Sequence, residues 1–186
     1  MSTLDYNVQT PPDSITVPFL VSTGYYIKVK GFIVGGQTLN IPPEAISSTL
    51  HTFGKVIVDS GAVYSYLFPQ AYEILREAFR KEAKNRLKRI YGSFSKFETC
   101  YDMEDWQVAI VPSMWIMFSD DKKLELNVLN YLHVYKPGVY CLAFLPSLKT
   151  DTNPYPQSIF GNTLLQTTRV TYDLVNMLLS FTPDSC

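Results

Sequence analysis

Val56-Ile57-Val58-Asp59-Ser60-Gly61 is the stretch on which the reading of this chain turns. Three β-branched apolar residues predict a short buried strand. The Asp-Ser-Gly that follows predicts a polar turn, so the strand delivers an aspartate to whatever lies at its end. A glycine two residues after the acid lets the backbone turn tightly where a Cβ would clash. The N–H groups of such a turn can hydrogen-bond the carboxylate and hold its charge in place. Taken alone, Asp-Ser-Gly is an ordinary cap or turn sequence. Its context raises its weight, because a second apolar pair closed by glycine, Ile159-Phe160-Gly161, lies far downstream.

Working outward, Tyr25 to Val34 reads as a strand, with Lys28 and Lys30 alternating against Ile27 and Val29. Gly35-Gly36 is a turn signal, and Gln37 to Pro42 looks like the return strand. Residues 1–23 are polar and proline-containing, without a clear period, and read as an arm or linker; residues 24–186 then form one domain. After the aspartate, Pro69 opens the one extended helical pattern, over about residues 70–88. Ala71, Leu75, Ala78 and Phe79 define its inward face. Arg76, Arg80, Lys81, Lys84, Arg86, Lys88 and Arg89 crowd the rest. The ordinary reading of that run is a solvated face whose cations favour the C-terminal end of the helix dipole; the sharper one is a phosphate-binding surface.

From Val108 short strands resume: Val108–Val111, Ser113–Phe118, Leu124–Leu126, Tyr131–Tyr135 and Val139–Phe144. A short helical turn is expected near Ser158–Asn162, and Thr168–Asp173 with Met177–Phe181 predict a closing hairpin. Asp120-Asp121-Lys122-Lys123 predicts a charged hairpin tip. No ligand set surrounds its acids, so no metal is expected. The fold class expected is mostly β, antiparallel sheets with one main helix.

Composition narrows the function. With 186 residues and 46% hydrophobic content the chain suits one packed core. Thirteen tyrosines and eleven phenylalanines favour strands. A net charge of −1 points neither to nucleic acid nor to an anionic membrane. No apolar run reaches the roughly 18 residues of a membrane span, and the first residues carry neither the basic nor the apolar part of a secretory signal. Of the three cysteines, two would pair and one would be left over in an oxidising compartment; three free thiols in a reducing one is the other reading. The two histidines, His51 and His133, have no serine or cysteine nucleophile placed beside them by any motif.

These motifs together resemble the C-terminal lobe of plant pepsin-like aspartic proteases, the nepenthesin-like and xylanase-inhibitor-like group. Tyr25-Tyr26 to Gly35-Gly36 is similar to the group's opening. Val58-Asp59-Ser60-Gly61 through Tyr66-Leu67 and Ala71-Tyr72 resembles the stretch around its second catalytic aspartate. Cys100-Tyr101 and Val139 to Phe144 resemble the two halves of its lobe disulfide. Ile159-Phe160-Gly161-Asn162, Val170 to Leu174 and Ser185-Cys186 match its closing segments. The resemblance covers about residues 20–186, in order.

What it implies is specific. Asp59 is the catalytic aspartate, Ser60, Gly61 and Ala62 shape its turn, and Ile159, Phe160 and Gly161 return beside it. Cys100 and Cys141 form a disulfide, while Cys186 is bonded outside the lobe. Catalysis needs no cofactor. Two aspartates share a proton around one water: one takes a proton from the water, the other donates to the peptide carbonyl oxygen. The substrate is then a protein or peptide, and the compartment the secretory pathway. Two departures stand out. The residue after Asp-Ser-Gly is usually Thr or Ser, whose hydroxyl braces the opposite lobe; here it is Ala62. The N-terminal lobe, with the first aspartate, is not in this sequence, so the chain is expected to be inactive alone. A non-catalytic inhibitor of the xylanase-inhibitor type, binding through loops around residues 40–54 and 148–158, a homodimer with one aspartate per copy, and a truncated product without its own role are the other readings.

Overall fold

The structure, a computed structural model, describes residues 10–47, 54–104, 110–149 and 156–183. In chain order the strands and helices run β1 Ile15–Val21, β2 Tyr25–Val34, β3 Gln37–Asn40, α1 Pro43–Ile46, β4 Lys55–Val58, β5 Ser65–Leu67, α2 Pro69–Ala83, β6 Lys88–Ile90 and β7 Cys100–Asp102. They continue with β8 Met114–Phe118, β9 Lys123–Leu126, α3 Val128–Tyr131, β10 Leu132–Lys136, β11 Val139–Leu142, β12 Phe144–Pro146, β13 Ile159–Phe160, α4 Asn162–Leu165, β14 Thr168–Asp173 and β15 Leu178–Pro183. The chain is mostly β, as its residue pattern predicts.

The main sheet runs β12-β5-β13-β4-β2-β1-β15-β14, with β3 and β8 pairing the far half of β2 and β9 pairing β8. A smaller sheet runs β10-β11-β7-β6. Three expectations are corrected. Residues 15–21, read as part of an arm, form a strand: Ile15 to Pro18 pair with β15, and Phe19 to Val21 turn back on β2. Val17 and Phe19 are buried, so this segment belongs to the core. The sheets are not wholly antiparallel, because β13 runs parallel to β4 and β12 parallel to β5. The helix ends at Ala83 rather than near residue 88. Leu87 is buried there, and Lys88 to Ile90 pair with β7, so cross-strand pairing wins over further helix. Of the strand expected over Val108–Val111, residues 108 and 109 lie outside the described residues, and 110 and 111 are not in a strand.

The helix α2 packs one face on the sheets. Ala71, Tyr72, Leu75, Phe79 and Ala83 are buried, at the i, i+4 spacing of an inward stripe; Ala78, expected on that face, is half-buried at its edge. Phe79 meets Tyr101 and Tyr131 edge to face, and Phe32 meets Phe144 and Phe160 in the same way. The outer face is tied down by Arg76 to Glu77 and Glu98 and by Arg80 to Glu77.

Cys100 on β7 and Cys141 on β11 are direct partners in the antiparallel register and form a disulfide, S–S 2.04 Å. The bridge anchors a second small core with Phe97, Val139 and Leu145. Cys186 and His51 lie outside the described residues. Among the described residues no helix is long and apolar enough to cross a membrane.

Candidate active site

The strand pair at the centre of the main sheet builds the site. β13 lies between β4 and β5: Ile159 and Phe160 pair in parallel with Ile57 and Val58, while Ile159 also faces Tyr66 of β5. The connection from β4 to β5 therefore has to pass over the end of β13. Main-chain bonds fasten the two strands, Ile57 N donating to Ser158 O at 2.9 Å and Asp59 N to Phe160 O at 3.0 Å. Asp59 thus leaves the sheet at a fixed point.

The loop then folds over Gly161. Ala62 N closes a tight turn onto Asp59 O at 3.2 Å. Asn162 N donates to Ala62 O at 2.6 Å, Thr163 N and its hydroxyl both donate to Val63 O at 3.0 and 2.8 Å, and Gly161 N donates to the Ser65 hydroxyl at 3.1 Å. So the main chain of residues 59–65 is stitched to residues 160–163, and both main-chain polar groups of Ala62 are used within the lobe.

This close approach explains the glycine. A Cβ on residue 161 would lie 2.2 Å from Tyr64 O and 2.7 Å from Ala62 O, both backbone atoms that cannot swing away. Gly161→Ala is therefore expected to lower the stability of the lobe by roughly 3 kcal/mol, the upper range for forcing atoms into a packed site. Urea unfolding checks it: a midpoint equal to that of the parent would show that the loop is not held where the structure has it.

Asp59, Ser60 and Gly61 are exposed. The Asp59 carboxylate accepts a hydrogen bond from Gly61 N at 2.8 Å. Among the described residues no second carboxylate is hydrogen-bonded to it. Apolar groups surround the strand end. Tyr25 faces Val58 across the ladder and Val21 faces Tyr25; they are 37% and 54% exposed, and Val63 in the loop is 61% exposed. The Tyr172 ring packs tilted against Tyr25, with centroids 4.7 Å apart. Burial, then Tyr25 and Asp59, push its phenol above the ordinary tyrosine range. Asp59 thus stands on a hydrogen-bonded turn in a partly apolar open face.

The residue pattern places Asp59, Ser60, Gly61, Ala62, Ile159, Phe160 and Gly161 at this point, and the structure brings all of them together. It adds residues the pattern did not single out. Ser65 and Thr163 hold the loop through their hydroxyls. Ser158, fully buried, donates to Ile46 O at 2.6 Å and accepts from Phe68 N at 3.0 Å. Their signal in the sequence was weak, since an isolated Ser or Thr at a strand end is common. His133 stands elsewhere: Nε2 lies 3.2 Å from the Tyr64 hydroxyl, and the ring stacks on Phe97. Burial, and then Lys96, hold its pKa below the ordinary histidine value. It is not hydrogen-bonded to Asp59. Among the described residues no group of His, Cys, Asp or Glu is arranged to hold a metal ion.

Comparisons with known proteins agree with this geometry. The family described as Xylanase inhibitor C-terminal matches residues 24–183. The chain is 34% identical over 178 residues to aspartic proteinase nepenthesin-2 of Nepenthes gracilis, covering 95% of this chain and 39% of that protein. It is 34% identical over 172 residues to aspartyl protease family protein 2 of Arabidopsis thaliana, covering 89% and 33%. Among solved structures, edgp superposes with a TM-score of 0.76 at 20% identity, covering 92% of this chain and 45% of that one, and conglutin gamma from lupine seeds with 0.71 at 18%, covering 91% and 40%. The chain spans well under half the length of these relatives. With the aspartate turn, the glycine beneath it and the disulfide all in place, the chain belongs to the plant pepsin-like aspartic protease family and corresponds to its C-terminal lobe.

Proposed function

We propose that this lobe contributes one of the two catalytic carboxylates of an aspartic endopeptidase, the other coming from an N-terminal lobe of a longer parent or of a second chain. The observation that carries this reading is the Asp59 carboxylate standing exposed on a turn braced by Gly61 N–H and by the backbone of β13. A water held between Asp59 and a second aspartate would lose a proton to the ionised member, while the protonated member donates to the peptide carbonyl oxygen. Two such groups titrate as a pair, which suits an acidic working range. The exposed Val21, Tyr25 and Val63 supply apolar surface for a second lobe or for substrate side chains. The substrate class is protein or peptide. Cys186 would pair outside the lobe, and the secretory pathway, suggested by the family, suits a chain with a structural disulfide.

One observation favours a second reading. Ala62 carries no hydroxyl with which to brace a partner lobe, so a non-catalytic binding protein of the inhibitor type is the alternative. Of its candidate loops, residues 48–53 and 150–155 lie outside the described residues.

The test is complementation. The chain is co-refolded with a separately produced N-terminal lobe of nepenthesin-2 and assayed on an unfolded protein at about pH 3–5. Cleavage that needs both lobes and is blocked by a pepstatin-type inhibitor is the expected result. A complex of both lobes that forms and stays silent, with a lone chain that binds a glycoside hydrolase tightly, would replace this reading with the second.

A further inference from the structure

A recess of about 450 Å³ lies between the C-terminal half of α2 and the strands β6 and β7, on a part of the lobe not used by the aspartate site. That size falls within the range of small-molecule sites, about 300–1000 Å³. Arg80, Lys81, Lys84 and Arg89 line it together with Tyr91 and Tyr101. Glu77 is the one carboxylate lining it among the described residues, and it is already bonded to Arg76 and Arg80.

Solvated cations near a helix C-terminus are the ordinary explanation of Lys81 and Lys84. They do not explain what lies deeper. Tyr101 is 1% exposed, and its hydroxyl has no hydrogen-bond partner among the described residues. The buried Nε of Arg89 has none either. These residues are cross-strand partners in the β6–β7 register, so their side chains share one face of the sheet. Buried polar groups without partners are rare in folded proteins and call for a ligand or another cause. Here one is a cationic donor. The other is a phenol that burial pushes up to about 12, so it stays protonated and donates. The Tyr101 ring is packed against Phe79 at 5.9 Å, and the Arg89 guanidinium lies 4.8 Å over the ring of Tyr91. Arg80 is held by Thr99, Glu77 and the Glu98 carbonyl, whereas the Lys81 and Lys84 side chains make no ion pair or hydrogen bond among the described residues.

We propose that this recess binds a tetrahedral oxyanion, the phosphate or sulfate group of a small molecule, with Arg89 and the Tyr101 hydroxyl as the inner donors and Lys81 and Lys84 closing from outside. Tyr91, 80% exposed, offers an aromatic face to the remainder of the ligand. The donor set consists of acidic hydrogens only, which selects an acceptor-only group, and Arg makes the paired contacts such an oxyanion favours.

Isothermal titration calorimetry of the full chain at constant ionic strength tests it, with sodium phosphate, sodium sulfate and p-nitrophenyl phosphate as separate probes. Saturable binding of at least one is expected below about 10 mM. Phosphate and sulfate binding alike would identify the shared oxyanion as the determinant, one alone would identify the source, and tighter binding of the aryl ester would place its ring on Tyr91. Tyr101→Phe removes a hydroxyl that bonds nothing among the described residues, so the variant should fold as well as the parent and bind about tenfold more weakly. Arg89→Gln should weaken binding by at least as much, and Lys30→Gln, on the distant Asp121 pair, should change nothing. No saturable binding to any probe, or unchanged binding by Tyr101→Phe, overturns the proposal.

Discussion

On the proposed function, Asp59→Asn is expected to abolish the peptide hydrolysis of the reconstituted two-lobe enzyme, lowering its rate by roughly 10³-fold or more, and to leave the fold of the lobe intact. The contrast is what makes the experiment informative. Asparagine has nearly the same shape, and its side-chain oxygen can still accept the Gly61 N–H bond that Asp59 accepts at 2.8 Å. Asp59 is exposed and makes no ion pair among the described residues, so the stability of the isolated lobe should stay within about 0.5 kcal/mol of the parent. What is lost is the ability to share a proton with a second carboxylate, because an amide neither takes a proton from water nor gives one to a carbonyl oxygen. Equal thermal midpoints with a collapse of turnover assign Asp59 to chemistry. A variant that keeps full turnover would remove Asp59 from the mechanism.

The second large effect is on stability. Replacing Cys100 and Cys141 together by alanine is expected to lower the unfolding free energy by about 4 kcal/mol in the chain-entropy model, since the bridge joins residues 41 apart in sequence. Alanine is the better replacement here. Both cysteines are buried in the small apolar cluster with Phe97, Val139 and Leu145, where a serine hydroxyl would add its own desolvation penalty. For a chain of this size the loss corresponds to a fall in melting temperature of roughly 10 °C. The disulfide also lies where its loss should matter to the site. Phe97 and His133 pack on Tyr64, whose carbonyl sits over Gly161. A double-alanine variant that melts with the parent would show that the two thiols are not joined in solution. A single-cysteine variant would not substitute for it, because the remaining thiol is free to pair elsewhere.

Much of this protein is legible in local text. The apolar run before Asp59, the glycine after it and the apolar pair before Gly161 each report a backbone requirement that a few residues suffice to express. The inward face of α2 follows from its i, i+4 repeat, and the closing hairpin from two alternating runs with a turn between them. The family resemblance, which rests on those same motifs, supplied the catalytic role proposed for Asp59 and the disulfide partners; spacing alone left the cysteines open.

Other features depended on groups far apart in the chain. Ile15 to Val21 has no strong period, yet it is a strand, because β15 and β2 offer it ladder partners and its Val17 and Phe19 fill core space. The tail of the helical pattern gave way at Ala83 once Leu87 could be buried and β6 could pair with β7. The parallel seating of β13 against β4, and with it the reason residue 161 tolerates only glycine, is a matter of which backbone passes over which. So is the meeting of Arg89 with Tyr101 across the β6–β7 register, where the Arg89 Nε and the Tyr101 hydroxyl have no hydrogen-bond partner among the described residues. The sequence by itself determined most of the short segments that become strand, turn and helix, and that an aspartate would stand at a strand end. Tertiary structure alone decided which distant segments pack against each other, since periodicity reports the preference of a segment while pairing and burial depend on partners supplied by the rest of the chain.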